Sequence, residues 1–333
     1  MSNIFITLDY ELFFGSNSGT QEKSIIYPTN RLLEVLDNYN IKAIFFVDSG
    51  YIIKLNEYRK KYDVLENDYQ KIIAQLKSLS NNGHDIQLHI HPHWEDSYFD
   101  GDKWKIDTSR YRLHNFTKRE VDNIVFRYKK VLTDIVGDKI FAYRAGGWCL
   151  QPFEKIRDSL VKYNIWLDST VFENGMNNSS THFFDFKNSP NKTNWKFEND
   201  PLEEDRNGFF TEVPISSYRT SPLFFWKLVF YKKFGGSKFK SFSDGGAVRG
   251  SLFDKIRMLT QPTHTVVSID GYKTSFLSRA YNHFLKKDDN ENFVIIGHPK
   301  AMNEYSLEKL EEFIIENSNK NFTIYTQEFN NDV

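Results

Sequence analysis

The sequence predicts an α/β fold, an irregular TIM-like (β/α)7-type barrel of parallel strands. Short apolar runs rich in β-branched residues alternate with helix-periodic segments along most of the chain. Such alternation is typical of parallel βα units. The length of 333 residues suffices for one large domain. We therefore expect a single domain over residues 1–333, with insertions near residues 94–116, 171–208 and 220–257.

The strands are predicted from short apolar runs, beginning with "IFITL". The predicted strands are 4–8, 41–47, 85–90, 139–145, 165–170, 209–215, 264–269 and 292–298, with "FTIYTQEF" as a last one. Between the second and third strands we predict one long helix, ending near Gly83 because glycine favours the position after a helix. "TKRE" (117–120) has the pattern of a capping box, which predicts a helix that ends at Gly137.

Two insertions interrupt this alternation. Residues 171–208 are rich in Asn, Ser and Asp, which predicts a long polar loop. Residues 220–257 contain the run "SPLFFWKLVFYKKFGG", which we interpret as a buried core helix; the alternative is a segment with a basic edge that contacts a membrane surface. Aromatic residues after the third strand are candidates for a sugar-stacking platform, the alternative being a Phe-rich core. They are Trp94, Tyr98, Phe99, Trp104 and Tyr111.

Composition narrows the class of protein. The formal net charge of −1 argues against a nucleic-acid partner. The single cysteine, Cys149, fits a reducing compartment. The N-terminal residues do not have the pattern of a secretory signal, and no run reaches the roughly 18 apolar residues of a membrane-spanning helix. We expect a cytoplasmic protein, with membrane association left open by the aromatic and basic run.

Charged side chains recur where the predicted strands end. In a parallel barrel these ends converge on one mouth, so we expect the side chains to share a pocket. The residues concerned are Asp9, Glu11, Asp48, His89, His91, His93, Arg144, Asp168, Glu212, Asp270 and His298. Strand alternation places Asp9 and Glu11 on the same face, where the two carboxylates repel unless a cation or a proton intervenes. The alternative is a pair of solvated acids at a strand end.

Three of the nine histidines lie within the five residues 89–93. Alternation places His89 and His91 on one face of the third strand, and Pro92 ends regular pairing, so that His93 lies on a turn. Two imidazoles and one carboxylate form the ligand set of a catalytic zinc centre, and the same donors suit Co²⁺, Ni²⁺ or Fe²⁺. Hydrogen-bonded structural histidines are the alternative.

Three further residues are candidates for proton chemistry or positioning. Arg144 in "YRAGGW" could hold Asp9 ionised through a charge-assisted hydrogen bond. His298 in "IIGHPK" could act as a general acid, because histidine titrates near neutrality. Asp168 in "WLDST" is a candidate to orient His298.

Together these residues resemble the polysaccharide deacetylases of the NodB-like group, carbohydrate esterase family 4. In the resemblance "TLDYE" supplies a catalytic base and a metal-binding acid, and the His-x-x-x-His motif supplies two metal ligands. The roles that it implies are Asp9 as base, Glu11, His89 and His93 as metal ligands with His91 in reserve, Arg144 as the residue that orients the base, Asp168 as the acid of the fourth motif, and His298 as the group that protonates the leaving amine.

The chain departs from the family pattern at four places. Tyr10 occupies the place of a second adjacent Asp, and Gly146 stands where the third motif usually has Pro. Trp94 follows the second histidine of the motif in place of proline, and His91 is an additional histidine. These differences bear on the substrate and on the choice of metal ligands.

The resemblance implies a NodB-like catalytic domain that removes N-acetyl groups from a sugar with the help of a divalent metal, Zn²⁺ first. We expect a role in the biosynthesis of a cell-surface glycan such as O-antigen or capsule, on a nucleotide- or lipid-linked substrate. One alternative is another amide hydrolase on the same scaffold, acting on a cyclic amide or a formyl group with or without a metal. The other is a catalytically silent glycan-binding protein.

Overall fold

Parallel strands alternate with helices in the computed structural model, which describes residues 2–179, 181–246 and 252–329. The strands are β1 Asn3–Tyr10, β2 Ile44–Asp48, β3 Asp85–Ile90, β4 Tyr98–Phe99, β5 Trp104–Lys105, β6 Ala142–Ala145, β7 Leu167–Asp168, β8 Met176–Asn178, β9 Phe183–Asp185, β10 Trp195–Phe197, β11 Phe210–Glu212, β12 Ser217–Thr220, β13 Thr263–Val266, β14 Asn292–Gly297 and β15 Asn321–Phe322. The α-helices are α1 Tyr27–Asn38, α2 Ser49–Tyr58, α3 Asp63–Asn81, α4 Lys118–Val136, α5 Glu154–Lys162, α6 Pro222–Phe234, α7 Leu252–Thr260, α8 Leu277–Phe284, α9 Glu304–Glu316 and α10 Tyr325–Glu328. The predicted α/β class is confirmed.

The chain divides into two compact units. The first consists of Met1–Ala43 and Ile215–Thr323, and the second of Ile44–Pro214 and Ile324–Val333. The expectation of a single catalytic domain with three insertions stays a prediction.

In the first unit, β1 pairs in parallel with β14 along its length and with β15 at its start. β1 is buried along almost all of its length, which fits its continuous apolar sequence. Leu8 lies opposite Gly297 in the β1–β14 register. The residues that directly follow, Asp9 and His298, are therefore neighbours at the carboxyl end of this strand pair. β12 and β13 form a separate antiparallel pair.

In the second unit, the strands follow the order β10, β11, β7, β6, β3, β2. All neighbouring pairs from β11 to β2 are parallel, whereas β10 is antiparallel to β11. Asp48 of β2 lies opposite His89 of β3, which in turn lies opposite Arg144 of β6. Residues in register share a face of a sheet. The parallel pairing thus places these three side chains in one row.

Local sequence signals set the ends of α4. The Thr117 hydroxyl accepts from the backbone N–H of Glu120, and the Glu120 carboxylate accepts from the backbone N–H of Thr117 at 2.8 Å. Gly137 follows the helix with φ of +89°, a conformation that glycine adopts without steric cost. The predicted capping box and helix end are confirmed.

Several elements differ from the prediction. The single long helix expected before β3 is two helices, α2 and α3, and the expected polar loop at 171–208 contains β8, β9 and β10. "FTIYTQEF" contributes only the first residue of its run to β15 and then forms α10. Period and composition do not distinguish short paired segments from loops, because such pairing depends on distant partners.

The aromatic residues after β3 mostly pack inside the second unit. Trp94, Phe99, Trp104 and Tyr111 are buried, and Trp104 packs edge-to-face on both Trp94 and Phe99. Tyr98 alone of the five is exposed, at 50%. The sugar-platform interpretation is therefore wrong for four of these residues, which serve as core.

The segment "SPLFFWKLVFYKKFGG" forms a helix, α6, as predicted. Its burial was predicted wrongly. Phe224 and Phe225 are its buried apolar side chains, whereas most of its other large apolar side chains face solvent.

Candidate active site

Two carboxylates and a histidine meet at the carboxyl end of β1 and β14. Asp9 and Glu11 are each only 5% exposed. The Nε2 atom of His298 lies 3.5 Å from Oδ2 of Asp9 and 3.8 Å from Oε1 of Glu11. Asp9 and Glu11 thus share a face, as predicted, and His298 lies beside them within the first unit.

Asp270 holds His298 in place. Its carboxylate accepts from the backbone N–H of His298 at 2.8 Å and lies 2.9 Å from Nδ1 of the ring. Nδ1 therefore carries the proton that Asp270 accepts. The other ring nitrogen, Nε2, faces Asp9 and Glu11. Asp270 directly follows a predicted strand and was among the charged residues expected in the pocket. The sequence had suggested Asp168, and not Asp270, as the residue that orients His298.

Electrostatics favour the protonated form of His298. Burial alone would lower the pKa of His298, but the carboxylates of Asp270, Asp9 and Glu11 outweigh it, so that the pKa is raised above its ordinary value. Burial would likewise raise the pKa of Asp270, but His298 and Lys273 hold it at about 2. A histidine in this setting can donate a proton at neutral pH.

Lys300 anchors Glu11, a contact that the sequence did not reveal. The buried Lys300 ammonium donates to Oε1 of Glu11 at 2.8 Å and to the carbonyl oxygen of Leu12 at 2.6 Å. A buried charge requires such partners. Lys300 lies two residues after His298 in "GHPK". Glu11 lies near the N-terminus, so only the fold brings Lys300 into contact with it.

In the second unit, His89 has the geometry of a metal-ligating histidine. Its Nδ1 lies 2.8 Å from the carbonyl oxygen of Arg144, and a proton on Nδ1 leaves the lone pair of Nε2 available. A hydrogen bond from the other ring nitrogen to a carbonyl oxygen orients many metal-binding histidines. The ring of His91 is 4.6 Å from the ring of His89, centroid to centroid.

Gly146 allows the backbone to pass close to His91. A Cβ atom at this position would lie 2.5 Å from the carbonyl oxygen of Ile90 and 2.6 Å from Nδ1 of His91. A larger residue would therefore displace the His91 ring. Gly146, which stands in place of the family's usual proline, therefore lies against the additional histidine, His91.

His93 packs in a different environment. It lies on a 3₁₀ turn, Pro92–Glu95, and its ring stacks on Tyr111 with an interplanar angle of 5° and a centroid distance of 5.6 Å. His91 directly follows the strand that holds His89, and the two rings are in contact. The assignment of His93 as a metal ligand stays a prediction, and the ring spacing in this unit favours the reserve residue, His91.

Arg144 is fully buried and firmly held. Its Nε donates to the carbonyl oxygen of Ser169 at 2.7 Å, a terminal nitrogen donates to the hydroxyl of the same residue at 3.0 Å, and the guanidinium lies over the ring of Phe46. Such bonds fix the direction of a guanidinium. The predicted hydrogen bond from Arg144 to Asp9 stays a prediction.

Asp168 forms a buried acidic pair with Glu212. Its carboxylate accepts from the backbone N–H and hydroxyl of Thr170, and Glu212 accepts from the backbone N–H of Val171 at 3.0 Å. Burial raises the pKa of Asp168 to about 6, and burial together with the Asp168 charge raises the pKa of Glu212 well above its ordinary value. Two adjacent carboxyl groups hydrogen-bond most favourably when they share one proton.

The donor set suits a divalent metal. His89 and the second histidine, His93 or His91, would offer imidazole nitrogens, the commonest ligands of zinc besides cysteine. Glu11 is a buried carboxylate held in one orientation by Lys300. The residues that the sequence proposed as ligands are thus of the right kind, and hydrogen bonds within their own units orient Glu11 and His89.

Comparisons with known proteins show a family likeness over part of the chain. The family model of the polysaccharide deacetylases matches residues 27–151. The matched segment contains the three clustered histidines and Arg144, but not Asp9, Glu11 or His298. No curated protein matches the chain by sequence.

Solved structures resemble this chain at low identity, and two of those described here have TM-scores of at least 0.50. A structure from Mycobacterium smegmatis with a provisional polysaccharide deacetylase assignment is 14% identical, with a TM-score of 0.50 over 98% of this chain and 88% of that one. The 4-alpha-glucanotransferase of Thermococcus litoralis is 12% identical, with a TM-score of 0.51 over 99% of this chain and 40% of that one. The polysaccharide deacetylase Bc1974 of Bacillus cereus is 11% identical, with a TM-score of 0.42 over 99% and 94%. The resemblance to polysaccharide deacetylases and the predicted fold class are confirmed.

Proposed function

We propose that this protein is a metal-dependent deacetylase that removes the N-acetyl group of a sugar during the biosynthesis of a cell-surface glycan. The observation that carries the proposal is the group formed by Asp9, Glu11, His298 and Asp270. Hydrolysis of an amide needs a base for the attacking water and an acid for the leaving nitrogen, which act on adjacent atoms. The 3.5 Å between Asp9 and His298 suits two such groups.

The proposed metal ligands are Glu11, His89 and one further histidine, His91 or His93. His91 is the stronger candidate, for the reasons of ring spacing given above, and the participation of Glu11 rests on the family resemblance. A bound divalent ion would polarise the amide carbonyl and lower the pKa of the attacking water. Zn²⁺ fits the donors best, and Co²⁺, Ni²⁺ and Fe²⁺ share the preference for nitrogen and oxygen ligands.

The residues of the chain divide the proton transfers between them. Asp9, kept ionised in the proposal by Arg144, takes a proton from water as it attacks the acetyl carbon. Protonated His298 gives its Nε2 proton to the departing nitrogen, and the C–N bond breaks to release acetate and the amine. Asp270 retains the Nδ1 proton and so keeps Nε2 directed at the reaction.

Metal analysis of purified protein, combined with an acetate-release screen, tests this function. The screen covers nucleotide-linked and lipid-linked N-acetyl sugars, with N-formyl sugars and cyclic amides for comparison. Asp9→Asn should abolish turnover and retain the metal, whereas His89→Ala should lose both. His283→Ala, an exposed histidine of α8, is the matched control and should behave as the wild type.

Three outcomes would contradict the proposal. Release of formate or opening of a cyclic amide in place of acetate release would identify another amide hydrolase. Glycan binding without turnover on any substrate would identify a silent binding protein. Full activity of Asp9→Asn would remove the base from the mechanism.

A further inference from the structure

An apolar stripe on α6 faces solvent. Its residues follow the spacing i, i+3, i+7 and i+11, which lies along one face of a helix. The exposed fractions are 63% for Leu223, 56% for Trp226, 56% for Phe230 and 64% for Phe234. A helix that is apolar on nearly all sides is expected to be buried on all sides. α6 is buried only on the face of Phe224 and Phe225, so the stripe lacks a cover within the described chain.

The buried face of α6 is well packed, so the stripe is not a sign of a loose helix. The ring of Phe224 stacks on Phe276 with centroids 3.9 Å apart, and Tyr231 stacks on Tyr272 with centroids 4.8 Å apart. At the edge of the stripe, the indole N–H of Trp226 donates to the carbonyl oxygen of Leu259 at 3.0 Å. One face therefore anchors the helix while the other presents large apolar side chains to the outside.

The surroundings of the stripe are basic. Residues 215–243 contain six Lys and Arg and no Asp or Glu. By helical spacing, exposed Lys227 and Lys233 lie on the two sides of the stripe. Lys238 pairs with Glu308 of α9, and this one contact offsets only part of the positive charge.

A cavity of about 290 Å³ adjoins the first turn of α6. Its lining includes Leu223 together with three cations, Arg219, Lys227 and Arg279. None of the three forms an ion pair with any residue in the described ranges. Guanidinium and ammonium groups around a small cavity are suited to a phosphate group.

We propose that α6 docks this protein on the surface of an anionic phospholipid bilayer. The apolar stripe enters the boundary between headgroups and acyl chains, and the cavity cations receive a lipid phosphate. Large aromatic side chains beside lysines are the composition of helices that lie in a membrane interface. At 13 residues, α6 is about 20 Å long, too short to cross a hydrocarbon core of roughly 30 Å. No helix in the described part of the chain is long and apolar enough to span a membrane.

Vesicle flotation tests the docking. The full-length protein is mixed with vesicles of phosphatidylcholine alone or of phosphatidylcholine with phosphatidylglycerol. We expect binding to the anionic vesicles that weakens with salt. Phe230→Ser with Phe234→Ser should lower the partition coefficient on the order of a hundredfold, because two large apolar side chains are removed. Arg219→Ser with Arg279→Ser should lower it about thirtyfold, since each cation near an anionic surface contributes roughly fivefold.

Matched controls carry the same chemical changes elsewhere on the surface. Val64→Ser with Ile315→Ser removes two exposed apolar side chains, and Arg119→Ser with Arg206→Ser removes two exposed cations. Both controls should bind as the wild type. A circular dichroism spectrum and a melting curve for each variant show whether it is folded.

Trp226 provides a second readout that does not depend on flotation. It is the exposed tryptophan among the six of the chain, so brominated lipids should quench its fluorescence in anionic vesicles. Trp226→Phe should remove the quenched component.

Equal binding to both kinds of vesicle, or unchanged binding of the Phe230→Ser/Phe234→Ser variant, would overturn the proposal. So would a stable dimer in sedimentation equilibrium that this variant abolishes, because the stripe would then cover a second copy of the chain.

Discussion

Replacing Asp270 with Asn should lower the pKa of His298 and shift the activity of the protein toward lower pH. The carboxylate accepts both the backbone N–H and, at 2.9 Å, the Nδ1 proton of His298. Asparagine has nearly the same shape, but it has no charge and only one oxygen for two donors.

The size of the expected pKa shift follows from the hydrogen bond that is lost. A charge-assisted hydrogen bond contributes about 1.5–3 kcal/mol, and one pKa unit corresponds to about 1.4 kcal/mol. The pKa of His298 should therefore fall by roughly one to two units. The pKa of His298 is raised in the native protein, so the protonated acid persists to higher pH there. The high-pH decline of kcat/KM should begin one to two pH units earlier in Asp270→Asn.

An NMR titration of the imidazole of His298 in metal-free protein measures this pKa independently of activity. The signal is assigned by comparison with His298→Gln, and the pH profile of kcat/KM is recorded on the metal-loaded enzyme. Asp102→Asn, an exposed acid, is the control for the loss of one negative charge. Asp168→Asn tests the orienting role that the sequence had assigned to that residue, and we expect it to leave the titration of His298 in place. An unchanged titration midpoint in Asp270→Asn would refute the reasoning.

Three further predictions concern the other buried groups. His91→Ala should weaken zinc binding at least tenfold in calorimetric titration, whereas His93→Ala should keep the affinity and lose stability; the reverse result would restore His93 as the ligand. Lys300→Met removes a cation that is bonded to a buried carboxylate, so urea unfolding should show a loss of about 1.5–3 kcal/mol, and an unchanged midpoint would mean that the acid finds another partner. Glu212 has a pKa raised above its unfolded value, so its contribution to stability is present at low pH and declines as the pH rises through the folded pKa. Glu212→Gln should therefore flatten the decline in stability above pH ~4.5, and a decline as steep as in the wild type would assign it to other groups such as Asp168.

Much of the fold was predictable because its signals are local. The apolar run of β1 and the capping box of α4 act within a few residues, and both elements lie where the sequence placed them. The face shared by Asp9 and Glu11 follows from strand alternation alone. The aromatic residues after β3 and the exposed stripe of α6 were predicted wrongly, since apolar composition does not state which surfaces meet.

The sequence by itself determined the class of fold and the residue types of the candidate site: an acid pair, a histidine cluster, an arginine and a late histidine at strand ends. Only the tertiary structure decided which neighbours hold each of them. It paired His298 with Asp270 and Glu11 with Lys300, and it brought the rings of His89 and His91 into contact. The physical reason is that hydrogen bonds and ion pairs of this kind join residues far apart in the chain. Local periodicity specifies the direction of a side chain, whereas its partner is specified by the packing of distant strands.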